Sequence, residues 1–231
     1  MKVNPKHRTA ILVFAHSSQE ELKHKKISKG KLLFDTLTQN TIKTVKETGV
    51  PFFHFTEKLQ DGLSFGERFS NAIQSVFDLG YENIITVGND SPHLTKSHLN
   101  NAVTALDGHK LVLGPSADGG FYLMGLRQKD FEKAAFEKLS WQTSEICQEV
   151  LELFSHNDTE CSLLSPLFDI DTFWDVLAIA KDASGLSKRI LKALRSIISI
   201  NEKIEIPLFI SAIGCYNRIP SNKGSPYQSF S

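Results

Sequence analysis

Cysteine is scarce in this chain, and so are long apolar runs and any excess charge of one sign. The three cysteines, Cys147, Cys161 and Cys215, are odd in number and have no metal-ligand spacing. That excludes a disulfide framework or a zinc ribbon and suits a reducing cytosol, so a cytoplasmic protein is expected. The apolar run Ala10–Ala15 is far too short to span a bilayer. The polar, basic segment before it, Met1 to Thr9, lacks the longer apolar region and small-residue cleavage site of a signal peptide. Lysine plus arginine number 26 and aspartate plus glutamate 26, so no basic surface argues for nucleic acid or an anionic membrane. A Gly-x-Ser-x-Gly elbow, a Gly-rich phosphate loop with Lys and a Cys-x-x-Cys pair are all missing. Hydrolase and redox readings thereby lose their usual signatures.

What is present is strand and helix in alternation. Ala10–Ala15 reads as a buried first strand and Pro51–Phe55 as a second. Between them a polar, Lys-rich loop from His16 precedes a helix over Lys31–Thr48 (Leu33, Leu37, Val45), which Gly49 stops. Phe69, Ile73, Val76 and Phe77 recur at helical spacing before the β-branched strand Ile84–Val87. Thr95 is a suitable N-cap for a helix along Leu99, Ala102, Val103 and Leu106. Leu111–Leu113 and Phe121–Gly125 are strands separated by a Gly-rich turn. Further helices are expected along Ile146, Val150, Leu151 and Phe154 and from about Leu186 to Ile198, with a last strand at Leu163–Phe168. This rhythm predicts a single α/β domain, residues 1–200, with a doubly wound, mostly parallel sheet and helices on both faces. Residues 201–231 form an extension, poor in periodicity toward its end.

Three acidic turns follow three strands: Asp90, Asp118, and the pair Asp169 and Asp171. In open α/β sheets ligands bind outside the carboxyl ends of strands, where carboxylates distant in sequence converge. Each aspartate singly is an ordinary turn or cap residue; together, without a His/Cys cluster, they suit Mg²⁺ or Mn²⁺ better than zinc. Gly119-Gly120 serves either a tight hairpin or close approach of a ligand. Arg68 is open to two readings, phosphate contact or surface ion pair with Glu67. Trp141 either stacks on a base or sugar or belongs to the core. His93 and His98 neighbour the Asp90 turn.

Five segments occur in order: Gln60-x-Gly62-x-x-Phe65-Gly66-Glu67-Arg68, Gly88-Asn89-Asp90-Ser91-Pro92-x-Leu94, Gly114-Pro115-x-x-Asp118-Gly119-Gly120-Phe121-Tyr122-Leu123-x-Gly125-Leu126, Trp141-Gln142-Thr143, and Asp169-Ile170-Asp171-Thr172-x-x-Asp175. Over about Ala10 to Ala180 the chain resembles a bacterial family of glycosyltransferase-like proteins, domain of unknown function 2064. The resemblance implies the GT-A, nucleotide-diphospho-sugar transferase fold, with similarity to small nucleotidyltransferases such as 2-phospholactate guanylyltransferase. It implies metal ligation by Asp90 and Asp171, with Asp118 facing the acceptor or the metal; Asp118 is the candidate to orient the acceptor or serve as base. Lys25, Lys26, Arg68, Gly88, Gly119 and Gly120 fall on the donor phosphate side, and Ser91, Tyr122 and Trp141 on the acceptor side. The implied partners are a nucleotide or nucleotide-sugar and a small-molecule acceptor, with the oligomeric state open. The chain departs from the family where Pro-x-x-Gly and then Lys-Thr-Arg-Leu are expected. His16–Lys26 keeps only lysines there, and Lys lacks the planar fork with which Arg grips a phosphate. The expected activity is glycosyl transfer from an activated nucleotide. The alternatives are nucleotidyl transfer and a catalytically inert scaffold that binds a partner or nucleotide.

Overall fold

A computed structural model describes residues 8–154 and 160–202 of the chain. The elements run β1 (Thr9–Phe14), α1 (Ser18–His24), α2 (Lys31–Thr48), β2 (Phe52–Phe55), α3 (Phe65–Phe77), β3 (Asn83–Val87), α4 (Lys96–Ala105), β4 (Leu111–Pro115), β5 (Phe121–Arg127), α5 (Lys133–Phe136), α6 (Ile146–Phe154), β6 (Cys161–Leu163), α7 (Phe173–Lys181) and α8 (Lys188–Glu202). The strands form one six-stranded sheet in the order β2-β1-β3-β5-β4-β6. β1 pairs in parallel with β2 and β3, and β4 with β6, while β5 runs antiparallel to both its neighbours. The expected doubly wound α/β sheet is therefore present. The Gly-rich turn after β4 makes a hairpin rather than a crossover.

Alternation along β1 sets the two layers. Ala10 and Leu12 pack with α3 and α6 through Phe69, Ile73, Val76, Val150 and Phe154. Ile11 and Val13 pack on the other face with Val45 of α2 and Leu99 and Ala102 of α4. Residues i and i+2 share a face of a strand, so burial of Ala10, Ile11, Leu12 and Val13 together marks a central strand covered on both sides. A third cluster joins Leu33, Phe34 and Leu37 of α2 to Val176 of α7 and to Ile190, Leu194 and Ile197 of α8. It fastens the late part of the chain beside the first loop.

Two expectations are corrected. His16–Lys31 is not simply a loop, since Ser18–His24 is helical with Ser17 as N-cap, Glu20 and Glu21 in the first turn and Lys23 and His24 in the last. These cap and dipole signals favour a helix, but its buried residues are Ser18 and Glu21, so no apolar stripe announced it. The last strand lies at Cys161–Leu163, before the expected Leu163–Phe168. Thr95 caps α4 and Gly49 ends α2 at φ 77°, both as expected. The extension lies outside the described residues from 203 on, as does Cys215.

Candidate active site

β3 ends at Val87, and the chain turns through Gly88, Asn89 and Asp90 at the carboxyl edge of the sheet. A Cβ on Gly88 would stand 3.0 Å from Asp90 Oδ1, so a side chain there would crowd the carboxylate. Asn89 is buried, and its Nδ2 donates to Thr38 Oγ1 of α2 at 2.9 Å. Ser91 Oγ donates to Asp169, and Ile170 N donates to Asp90 O at 3.0 Å. The turn is thus sewn both to α2 and to the Asp169–Asp171 segment. That segment is held by Asp175, whose Oδ2 accepts from Thr172 N at 2.7 Å and from Asp171 N at 3.2 Å. With Thr172 Oγ1 bonded to Asp175 N, this is a capping box for α7. Asp175 therefore shapes the loop from the helix end.

Asp90 and Asp171 meet at one point, the ammonium of Lys25. Its Nζ lies 2.7 Å from Asp90 Oδ2, 3.0 Å from Asp171 Oδ1, 3.0 Å from Ile170 O and 3.9 Å from Glu21 Oε2. The two carboxylate oxygens can be no further apart than those two contacts laid end to end, so one ammonium gathers both. Among the described residues no group of three or more His, Cys, Asp or Glu is arranged to hold a metal ion. Mg²⁺, however, is commonly held by one or two carboxylates, completing its shell with water and substrate phosphate. The all-oxygen chemistry of the pair fits such an ion.

The titration of these groups follows from burial. Burial works against the charged form of Lys25, but Asp90, Asp171 and Glu21 outweigh it and hold its pKa above the ordinary lysine value. Burial pushes the Glu21 carboxyl up to about 7, with Lys25 opposing. Asp169 is raised by burial and by the neighbouring Asp90. Asp171 is raised by burial against the pull of Lys25.

These residues line a cleft of about 930 Å³. An aromatic cluster also lines it, with Phe14, Phe65, Phe69, Phe121 and Trp141. Trp141 takes the core role of its two readings and also borders the cleft. It packs edge-on against Phe69 at 5.1 Å and donates Nε1–H to Phe136 O at 2.6 Å, yet it also lines the cleft. A Cβ on Gly66 would come within 2.6 Å of its indole, which explains that glycine. Arg68 lines the cleft and donates to Leu63 O at 3.2 Å. Glu67, its alternative partner, is engaged by the Ser64 capping box. Lys26 is exposed and is not among the cleft residues.

In the β4–β5 hairpin, Asp118 Oδ1 accepts from Gly120 N at 3.0 Å, and both residues line the cleft. Gly119 has φ 94°, and a Cβ there would strike Ser144 O at 2.2 Å. Its close approach is to the chain itself. Tyr122 reaches the cleft, but its hydroxyl donates to Ser165 O at 3.0 Å, and burial with Asp169 nearby pushes its pKa up to about 12. Ser91 is buried beside Asp169 rather than on the cleft surface.

Among the titratable groups of the cleft, sequence reasoning passed over Glu20, Glu21 and Glu57, and took Asp169 only as the companion of Asp171 in one acidic turn. The signal for Asp169 was its spacing two residues from Asp171; for Glu21 it was the four-residue interval to Lys25, which puts the pair on one helix face. With these included, the cleft carries the carboxylates of Glu20, Glu21, Glu57, Asp90, Asp118, Asp169 and Asp171 against two obligate cations, Lys25 and Arg68.

The family described as "Uncharacterized protein conserved in bacteria (DUF2064)" matches residues 23–143. The chain belongs to that family. Its fold is also that of a candidate nucleotide-diphospho-sugar transferase from Desulfovibrio desulfuricans G20. The two are 23% identical with a TM-score of 0.75, over 87% of this chain and 99% of that one. More distant matches include the 4-diphosphocytidyl-2C-methyl-D-erythritol synthase of Anaerococcus prevotii DSM 20548, at 11% identity and TM-score 0.49 over 74% of this chain and 95% of that one. Rv0371c of Mycobacterium tuberculosis H37Rv, solved in complex with manganese, matches at 12% and 0.45, over 74% and 97%. At those scores neither bears on the chemistry of this site. No curated protein matches the chain. Among the described residues no helix is long and apolar enough to cross a membrane.

Proposed function

We propose that this DUF2064 protein transfers a sugar from a nucleotide-diphosphate donor to a small-molecule acceptor, with Mg²⁺ or Mn²⁺ held by Asp90 and Asp171. The observation that carries the reading is the meeting of Asp90, Asp171 and Lys25 at the carboxyl edge of the sheet, inside a cleft with an aromatic wall. A diphosphate entering a cleft so rich in carboxylates must bring or find cations, because unpaired like charges at short range in a partly desolvated site are costly. A divalent ion bound there would stabilise the negative charge that builds on the leaving diphosphate. Arg68, also lining the cleft, is the side chain able to meet a phosphate with two N–H bonds.

In the transfer, the acceptor hydroxyl oxygen bonds to the anomeric carbon while the carbon–oxygen bond to the diphosphate breaks, its electron pair leaving with the diphosphate. The hydroxyl proton goes to Asp118, whose carboxylate is oriented by Gly120 N. The aromatic wall of Phe65, Phe121 and Trp141 supplies flat apolar surface for a base or a sugar face. Asp169, bonded by Ser91, positions the Asp90 turn from behind.

A thermal-shift screen of nucleotide sugars and nucleoside triphosphates, with and without Mg²⁺ or Mn²⁺, tests the reading. A ligand at a hundredfold excess over its Kd adds about 2.7 kcal/mol of stability. A shift with a nucleotide sugar only in the presence of metal is the expected result. A response confined to triphosphates would move the assignment to nucleotidyl transfer, and no response to any of them would leave a scaffold without this activity.

A further inference from the structure

An ammonium group has three N–H donors, and at Lys25 all three are met: Asp90 Oδ2 at 2.7 Å, Asp171 Oδ1 at 3.0 Å and Ile170 O at 3.0 Å. In this state no donor remains for a phosphate, the role its sequence position suggested. The oxygens that surround Nζ are instead two carboxylates and one backbone carbonyl, hard donors of the kind that hold small divalent cations. Building on the transferase reading, we propose that Lys25 is the resident cation of this site. It neutralises Asp90 and Asp171 when no divalent ion is bound, and an ion enters only by expelling Nζ, which is then free to meet a phosphate.

Three observations support the exchange. The first is geometric: an ion at about 2.1 Å from each carboxylate and an ammonium at 2.7 and 3.0 Å from the same oxygens would press two positive centres into one cage. They exclude each other by size and by charge. The second is the charge left over. One ammonium faces two carboxylates, Asp90 at 2.7 Å and Asp171 at 3.0 Å. A pair made only to pin two loops would need one carboxylate fewer; this cluster has capacity for a second positive charge. The third is freedom to move. Lys25 is the C-cap of α1, in extended backbone (φ −95°, ψ 131°), and its head hangs on a four-carbon stem. Its Nζ passes 5.6 Å from the centroid of the Phe34 ring, a contact weak enough to give up. The α1 helix stays anchored from its other end, where Ser17 N and Oγ donate to Glu57 at 2.8 and 3.0 Å. The side chain can leave without the helix unfolding.

The test needs no nucleotide. Mn²⁺ is titrated into the full chain and into Lys25→Met, with free Mn²⁺ followed by electron paramagnetic resonance. The variant has no ammonium to expel and is expected to bind Mn²⁺ at least tenfold more tightly than the wild type. Equal or weaker binding, or binding by neither protein, overturns the proposal. A second readout uses the wild type alone, in case Lys25→Met does not fold. Amine acylation followed by peptide mass spectrometry is expected to label Lys25 slowly without metal and at least fivefold faster at saturating Mn²⁺, with the exposed Lys96 as an unchanging reference. Labelling of Lys25 that does not respond to Mn²⁺ refutes the exchange. Because both readouts use metal alone, they separate this proposal from the transferase reading, which the nucleotide-sugar screen tests independently.

Discussion

Replacing Glu21 by Gln isolates what burial does to the carboxylate side of the cleft. Glu21 is buried on α1, facing Lys25, with Asp90 and Asp171 near enough to disfavour its charge. Its pKa in the folded chain is about 7 against an ordinary value of 4.5. The folded state therefore holds a proton that the unfolded chain has released, and stability falls as pH rises through that interval. Below pH 4.5 both states are protonated and the group costs nothing; above pH 7 it is ionised in both, and the full cost is present. Each unit of pKa corresponds to about 1.4 kcal/mol, so the cost at pH 8 reaches about 3 kcal/mol at most. Gln has the same shape and no charge. In urea unfolding at a series of pH values, Glu21→Gln is expected to match the wild type near pH 5 and to exceed it progressively up to pH 8. The difference between the two proteins cancels the titration of Asp169, His16 and other groups common to both. Parallel pH profiles, or a variant less stable at pH 8, would refute the argument that desolvation outweighs Lys25 at this position.

Asp90→Ala should abolish any metal-dependent thermal shift while leaving the chain folded; an unchanged shift would remove Asp90 from the cation site. Gly119→Ala should destabilise by at least about 1 kcal/mol in chemical denaturation, since φ is 94° and the new Cβ meets Ser144 O. A neutral result would contradict the hairpin geometry. Asp175→Ala removes the N3 carboxylate of the α7 capping box and should lower stability in chemical denaturation. It should also weaken Mn²⁺ binding, because Asp171 N is one of the groups Asp175 holds; an unaltered Mn²⁺ titration would show that the loop keeps its shape without the cap.

The fold was legible because its central strands are unambiguous. Ile84–Val87 and Ala10–Phe14 are short, mostly apolar runs rich in β-branched residues, the pattern of strands covered on both faces. Helix α2 was legible from Leu33, Leu37 and Val45 and from Gly49. Helix α1 was not, because periodicity reads apolar residues and α1 buries Ser18 and Glu21. The β4–β5 turn was legible as a Gly-rich break, and the hairpin reading holds: Gly119 takes the left-handed conformation that the turn needs, while Gly120 lines the cleft.

Within the site, the chain by itself determined which residues carry charge at strand ends, since Asp90, Asp118 and Asp171 each follow a strand or its loop and the sheet gathers those ends at one edge. It also determined Gly88 and the capping residues Thr172 and Asp175, whose roles are local, whereas Gly66 is explained only by the approach of Trp141. Tertiary structure alone decided where Lys25 goes. Its partners Asp90 and Asp171 stand 65 and 146 positions away, and what unites them is the docking of α7 and α8 on α2, a packing event between elements. A pattern of residues specifies local conformation and which side of a strand is apolar. Which ammonium fills which carboxylate cage depends on distances that exist only once the layers have closed.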